Sequence, residues 1–241
     1  MTKPINLKEQ QNTKISKAPS EPFFIAVEGP IGVGKTTLTK LLTKKLQARC
    51  LKEIIEENPY LKNFYQNIEE YAFQTEMFFL CNRIKQLEDT QQQKLKEGLS
   101  VVADYSIIKN LIFAGLTLKA DHFQKYQRVF EILTRDLPQP DVIIYLHGDV
   151  DRLMKRIALR DRPFERNMSR DYMEKLSAAY ERYFSFDIPK PSAEKSVMGY
   201  TTPAVIAINI RDRDFINQPS DVDYLVEKIT ETIYQRRKQQ C

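Results

Sequence analysis

Residues Gly29-Pro30-Ile31-Gly32-Val33-Gly34-Lys35-Thr36 form a complete G-x-x-x-x-G-K-T run. Its residue types suit one task, the holding of phosphate. Glycines let backbone amides turn inward around a β-phosphate, and the positive pole of a following helix adds to them. Lys35 reaches the β and γ oxygens and the Thr36 hydroxyl can hold Mg²⁺, so this run, with Thr37 completing it, is expected to bind a nucleoside triphosphate. A second cationic set, Arg156, Arg160 and Arg162, lies in RIALRDRPFE. Arg156 and Arg160 share a helix face and Arg162 follows closely, so three guanidinium forks can converge on transferring phosphate oxygens.

Phosphoryl transfer also asks for a group that takes the proton from the attacking hydroxyl. Glu53 closes the short run CLKE, and a carboxylate at a strand end fits that role. Glu56 and Glu57 lie close enough to compete for it, although Glu56-Glu57-Asn58-Pro59 also resembles a helix start with favourable acids. Asp104 closes a similar apolar run, SVVAD.

Elements must aim these residues. Short runs rich in Ile, Val and Phe recur at 23–28, 50–53, 100–104, 141–147 and 204–210, and they suit strands buried on both faces. Between them, apolar residues at three- and four-residue spacing mark helices over 35–47, 69–97, 119–136, 149–160, 170–184 and 221–237. The alternation implies an α/β fold, a parallel sheet wrapped by helices. Within 69–97, the stretch Met77-Phe78-Phe79-Leu80-Cys81 is apolar all round and is expected to be buried.

The 241 residues, 42% of them hydrophobic, suffice for one sizeable core. Residues 1–20 are polar and poor in branched aliphatics, a flexible tail ahead of a single domain from Glu21 to Cys241. The net charge of +5 comes from 37 basic residues interspersed with 32 acidic ones. Without a long basic block it fits a phosphate-handling enzyme and requires no nucleic-acid partner. Cys50, Cys81 and Cys241 show no paired spacing, and two histidines cannot complete a zinc site. No run approaches the roughly 18 apolar residues of a membrane span. A cytoplasmic protein without membrane partners is expected.

From Phe24 onward the chain resembles the deoxynucleoside kinase family. IAVEGPIGVGKTTL, ENPYLKNFY, FQTEMFFLCNR, ADYS and RIALRDRPFE carry the likeness and are especially similar to the bacterial deoxyguanosine kinases of that family. The likeness covers about residues 23 to 235, with a departure at 185–203. It implies a P-loop kinase fold with a five-stranded parallel sheet flanked by helices, an arginine-rich lid, a homodimer, and ATP with Mg²⁺ as phosphoryl donor. Glu53 then falls at the general base, Asp104 faces the metal beside the phosphate loop, and Arg156, Arg160 and Arg162 belong to the lid. Two departures stand out. Tyr105 follows Asp104 where relatives often carry an arginine that holds the acceptor's 5′-oxygen, and Asp161 replaces a small lid residue, where it is expected to pair with a lid arginine.

The resemblance also assigns an acceptor pocket. Tyr65 matches the tyrosine on the sugar 3′-hydroxyl, and Asp171 its carboxylate partner. Glu76 stands where many relatives carry glutamine, and Arg83, seven residues on, lies on the same helix face. A carboxylate only accepts, which suits the N1–H and N2–H₂ donors of guanine, while Arg83 and Asn110 would serve O6 and N7. Phe73, Phe79 and Phe113 are expected as apolar walls, and Asp212, Asp214 and Phe215 at the ATP adenine. The implied activity is phosphorylation of a deoxynucleoside, chiefly deoxyguanosine, at its 5′-hydroxyl. A nucleoside monophosphate kinase and a non-catalytic nucleotide-binding protein are the competing readings.

Overall fold

The computed structural model describes residues 21–184 and 203–239, together with Pro19. The tail expected over residues 1–20, Cys241 and nearly all of the 185–203 departure lie outside the described residues. Five parallel strands, β1 (Phe24–Glu28), β2 (Arg49–Leu51), β3 (Val101–Ala103), β4 (Val142–His147) and β5 (Ala204–Asn209), form one sheet in the order β2-β3-β1-β4-β5. Each lies within or one residue beside its apolar run in the sequence. β1 is central because it is buried throughout, as the continuous run FIAVE demands of a strand covered on both faces.

α6 (Val150–Arg160) leads from β4 to α7 (Arg170–Phe184), whose Tyr180 bonds Glu28 and stacks on Tyr145, on the sheet face that Phe24 shares. The opposite face carries α1 (Lys35–Lys45) and α8 (Pro219–Lys238), whose Leu38 and Ile229 pack into a core with Ile25, Val102 and Ile144. The Phe24 face also carries α3 (Ile68–Thr90), α4 (Lys109–Thr117) and α5 (Ala120–Thr134), with Leu80, Ala114 and Phe130 set against Phe24 and Val101. Neighbouring β3 residues serve opposite cores, Val102 the first, Val101 and Ala103 the second, as the two-residue period of a strand requires.

α3 starts where Asn67 accepts from the Glu70 amide at 3.3 Å, with Glu69 and Glu70 in its first turn. It extends into a π-turn over Gln91–Leu95, so the long helix expected from the spacing is present. Its middle departs from expectation. Leu80 is buried, but Met77, Phe78 and Phe79 are half-buried and Cys81 is exposed. The sequence reading also omitted α4 and the short α2 (Leu61–Phe64). α4 buries five of its nine residues, Lys109 and Asn110 among them, and so short a segment, with polar residues on its buried side, displays no helical period.

Ala26 is level with Ala103, and Ala103 with Leu51. The carboxyl ends of β1, β3 and β2 therefore release the phosphate loop, Asp104 and Glu53 side by side. From β1 the chain crosses to β2 on one side, and from β3 it crosses to β4 on the other, so the connections diverge between β1 and β3 and the crevice opens where α/β sheets take their ligands.

Candidate active site

After β1 the chain turns through Gly29, Gly32 and Gly34 at φ of 143°, 80° and 110°. A side chain would be strained at each, and a Cβ on Gly29 would lie 2.2 Å from the Leu146 carbonyl oxygen. Residues Ile31 to Thr37 line a cavity of about 930 Å³. Lys35 Nζ donates to the carbonyls of Gly29 (2.7 Å) and Pro30 (3.0 Å). Burial, with the like charge of Lys109, lowers its ammonium to about 8. The loop is braced by the buried Glu28, which accepts from the amides of Gly29 (3.1 Å) and Ser106 (2.6 Å) and from Tyr180 Oη (3.0 Å).

Thr36 Oγ1 donates to Asp104 Oδ2 at 3.1 Å, and Asp104 Oδ1 accepts from the Glu53 amide at 2.7 Å. A hydroxyl and a carboxylate oxygen at this spacing form a hard-oxygen pair of the kind that takes Mg²⁺ with phosphate and water. The pair fits the ion expected at Thr36 and Asp104.

Arg156, Arg160 and Arg162 all line the same cavity. Arg156 Nη1 is fixed on the Val33 carbonyl at 2.9 Å, while Arg160 Nη2 holds both oxygens of Glu165 at 2.6 Å. Arg162 lies 3.7 Å from Glu165 and 3.8 Å from Glu56. The expectation for Asp161 is corrected: it takes the left-handed conformation at the end of α6 (φ 47°) and pairs with Arg166, not with the lid arginines. Asp212, Asp214 and Phe215 line the far side of the cavity. Asp214 organises its loop by accepting from the amides of Ile216 and Asn217, each at 3.1 Å.

A second, narrower cavity adjoins the first. Leu61, Phe64, Tyr65, Thr75, Glu76, Phe79, Arg83, Phe113 and Phe164 line it, and Ile31, Glu53, Ile55, Lys109 and Glu165 line both cavities. Phe79 and Phe113 are walls as expected, whereas Phe73 packs on His122 instead. Glu53, two residues past β2, is buried between two cations. Lys109 Nζ meets its oxygens at 2.7 and 3.0 Å, Arg83 Nε meets Oε1 at 3.1 Å, and Arg83 Nη2 also bonds Oε1. Burial opposes its charge, yet Lys109 and Arg83 outweigh burial and hold the carboxyl down at about 2. Glu56, the competing acid, has 61% of its side chain exposed and faces Arg162.

Glu76 accepts from Thr117 Oγ1 at 3.2 Å. Burial raises its carboxyl to about 7 against the pull of Arg83 and Thr117. Arg83 does not hydrogen-bond Glu76. Its Nε and Nη2 serve Glu53, while its buried Nη1 has no partner among the described residues. Tyr105 is buried and donates to Gln86 Oε1 at 3.1 Å, so no cation replaces the arginine at that position.

Two assignments are corrected. Asn110 is fully buried and does not line the second cavity, and its Nδ2 donates to Tyr126 Oη at 2.9 Å. Asp171 is on the surface at the first turn of α7, 71% exposed and paired with Lys175 at 2.7 Å. Of the three carboxylates that line the cavity with Tyr65, Glu53, Glu76 and Glu165, it is Glu165 whose charge, after burial, does most to push the Tyr65 hydroxyl up. Glu165 and Lys109 were absent from the sequence reading. Lys109 was detectable as a lone cation within the apolar stretch IIKNLIF, since a buried charge without a partner is costly.

A phosphate loop, a hydroxyl–carboxylate pair, converging arginines and an adjoining apolar cavity with its own carboxylates define a P-loop phosphotransferase with a separate acceptor pocket. The family model described as deoxynucleoside kinase matches residues 25–234. The chain belongs to the deoxynucleoside kinase family. It is 42% identical over 210 residues to a deoxyguanosine kinase of Bacillus subtilis, covering 87% of this chain and 97% of the relative. It is 32% identical over 223 residues to that organism's deoxyadenosine/deoxycytidine kinase, covering 89% and 95%. Its fold matches a deoxyadenosine kinase from M. mycoides with a TM-score of 0.70 at 22% identity, over 86% of this chain and 99% of that one. The chain is thus a deoxynucleoside kinase, an ATP-dependent phosphotransferase.

Proposed function

We propose that residues 21–241 act as one catalytic unit that phosphorylates deoxyguanosine at its 5′-hydroxyl in preference to deoxyadenosine, with ATP and Mg²⁺ as donor. The observation that carries the guanine preference is Glu76, a buried carboxylate in the acceptor cavity, beside Arg83, which lines the same cavity and whose Nη1 has no partner among the described residues. The carboxylate accepts from N1–H and N2–H₂, and Nη1 donates to O6, which meets groups that would otherwise stay unsatisfied at about 1–3 kcal/mol each. Tyr65 and Glu165 hold the sugar 3′-hydroxyl, so the role expected of Asp171 passes to Glu165. Glu53, at the junction of the two cavities, accepts the hydroxyl proton.

In the donor cavity Lys35 and the loop amides hold the β and γ oxygens, Thr36 and Asp104 hold Mg²⁺, and Arg156, Arg160 and Arg162 close over the phosphates. The ion neutralises charge on the triphosphate when it is bound. Asp212, Asp214 and Phe215 border the adenine. The enzyme works as a cytoplasmic homodimer. Apolar residues half-exposed on α3 (Met77, Phe78) and exposed on α5 (Ile132, Leu133) support a pairing surface, and no helix among the described residues is long and apolar enough to cross a membrane.

The test is kcat/KM for deoxyguanosine and deoxyadenosine in the wild type and in Glu76→Gln, at saturating ATP. The variant turns one acceptor into a donor facing a donor, so the ratio falls roughly ten- to a hundredfold. An unchanged ratio excludes Glu76 as the reader of the base.

A further inference from the structure

Among the described residues, Lys109 is the one cation that lines both cavities. It opens α4 and is buried, with Nζ 5.4 Å from the Phe113 ring centroid. Two of its three N–H donors meet the oxygens of Glu53 at 2.7 and 3.0 Å, so a third remains. Its charge acts on Lys35 and Glu28 at the donor end and on Glu76 at the acceptor end. Arg83, the other cation on Glu53, lines the acceptor cavity alone. Tyr105, next to Asp104, is buried with its hydroxyl on Gln86 and brings no charge to the junction.

From this placement we infer that Lys109 is a catalytic residue of the transfer, supplying the positive charge between donor and acceptor that no residue next to Asp104 supplies. The inference rests on the kinase reading above. In the transfer the 5′-O–H bond breaks and its proton passes to a Glu53 oxygen. The 5′-oxygen bonds to the γ-phosphorus, and the bond from the γ-phosphorus to the bridging oxygen breaks, its electron pair leaving with the nucleoside diphosphate. Before transfer Lys109 is balanced by the Glu53 carboxylate. Once Glu53 takes the proton that balance is lost, and the ammonium is free to neutralise the oxygens of the moving phosphoryl group. Its attraction is therefore stronger in the transition state than in the ground state, which is the condition for raising kcat rather than affinity.

The experiment uses the full chain with Lys109→Gln, which keeps a donor toward Glu53 without charge, Lys109→Met, which keeps neither, and Lys109→Arg, which keeps both. Turnover with ATP, Mg²⁺ and deoxyguanosine is measured beside nucleoside Kd without ATP and the thermal midpoint. Gln and Met should each lower kcat by roughly 10²–10³ with Kd within a few-fold, and Arg should recover most of the loss. A kcat preserved in Gln, an Arg variant no better than Gln, or a loss confined to Kd overturns the assignment. A Met variant that does not fold leaves the Gln and Arg pair to decide. A further comparison of Lys109→Gln in a Glu53→Gln background tests the direct action: the loss persists if Lys109 acts on the phosphoryl group and vanishes if it acts only through Glu53, which overturns the role. A wild type that phosphorylates no nucleoside contradicts the kinase reading itself, separately from any variant.

Discussion

Acidification should change which base this enzyme prefers. Burial holds the Glu76 carboxyl near 7, with the cations of Arg83 and Lys109 pulling it down and the charge of Glu53 pushing it up. Because this acid is raised above the ordinary carboxylate range, it loses its charge as pH falls through about 7, where exposed glutamates remain ionised. The ionised form only accepts and suits guanine, whereas the neutral acid offers a donor and an acceptor and suits adenine N1 and N6–H₂. One unit below the midpoint only about a tenth of the enzyme carries the carboxylate, so kcat/KM for deoxyguanosine falls about tenfold per unit. Deoxyadenosine holds steady or gains over the same range. The assay is the ratio of the two kcat/KM values from about pH 8 to about pH 5.5, since kcat/KM reports groups of the free enzyme. Glu76→Gln removes the titrating group and should make the ratio flat. A flat ratio in the wild type, or the same slope in the variant, refutes the argument.

Other outcomes follow from the same geometry. Lys35→Ala should remove most turnover while the thermal midpoint stays close to wild type, since Lys35 bonds only loop carbonyls; wild-type activity in that variant contradicts the phosphate-loop mechanism. Glu53→Gln should lower kcat steeply with little change in nucleoside Kd, and it should also lower stability by about 3–5 kcal/mol because two buried cations lose their anion. Glu56→Gln should leave both near wild type, and the reverse pattern would move the base to Glu56. Glu165→Gln should raise the KM for deoxyguanosine far more than for its 3′-deoxy analogue, whereas Asp171→Asn, on the surface, should change neither. A larger effect from Asp171 restores the original sugar assignment.

The parts of this site that were legible in the sequence are those made by contiguous residues. The phosphate loop declares itself because its glycines, lysine and threonine act within one turn, and the apolar runs around it allow only buried parallel strands. Glu53 and Asp104 were legible as acids closing such runs, although both lie just beyond the strands themselves. What depended on packing between distant elements was not legible. Asp171 and Glu165 are six residues apart, but a 3₁₀ turn at Pro163–Glu165 carries one into the cavity while the other starts α7 at the surface. Asn110 and Lys109 are adjacent on α4, and their rotation about that helix sends Lys109 to Glu53 and Asn110 to Tyr126. No periodicity in IIKNLIFAGL indicates that rotation. Arg83 was placed on the correct face of α3, but its partner, Glu53, lies thirty residues away in the chain.

The central claim is that this chain transfers phosphate to a nucleoside rather than to a nucleotide. Its most direct test incubates the purified protein with ATP, Mg²⁺ and, separately, deoxyguanosine, deoxyadenosine, deoxycytidine, thymidine and their 5′-monophosphates, resolving the products by chromatography. The account predicts dGMP formed fastest, one ADP per monophosphate, and no diphosphate from any monophosphate. Phosphorylation of monophosphates alone, or no transfer to any nucleoside despite bound ATP, would contradict it.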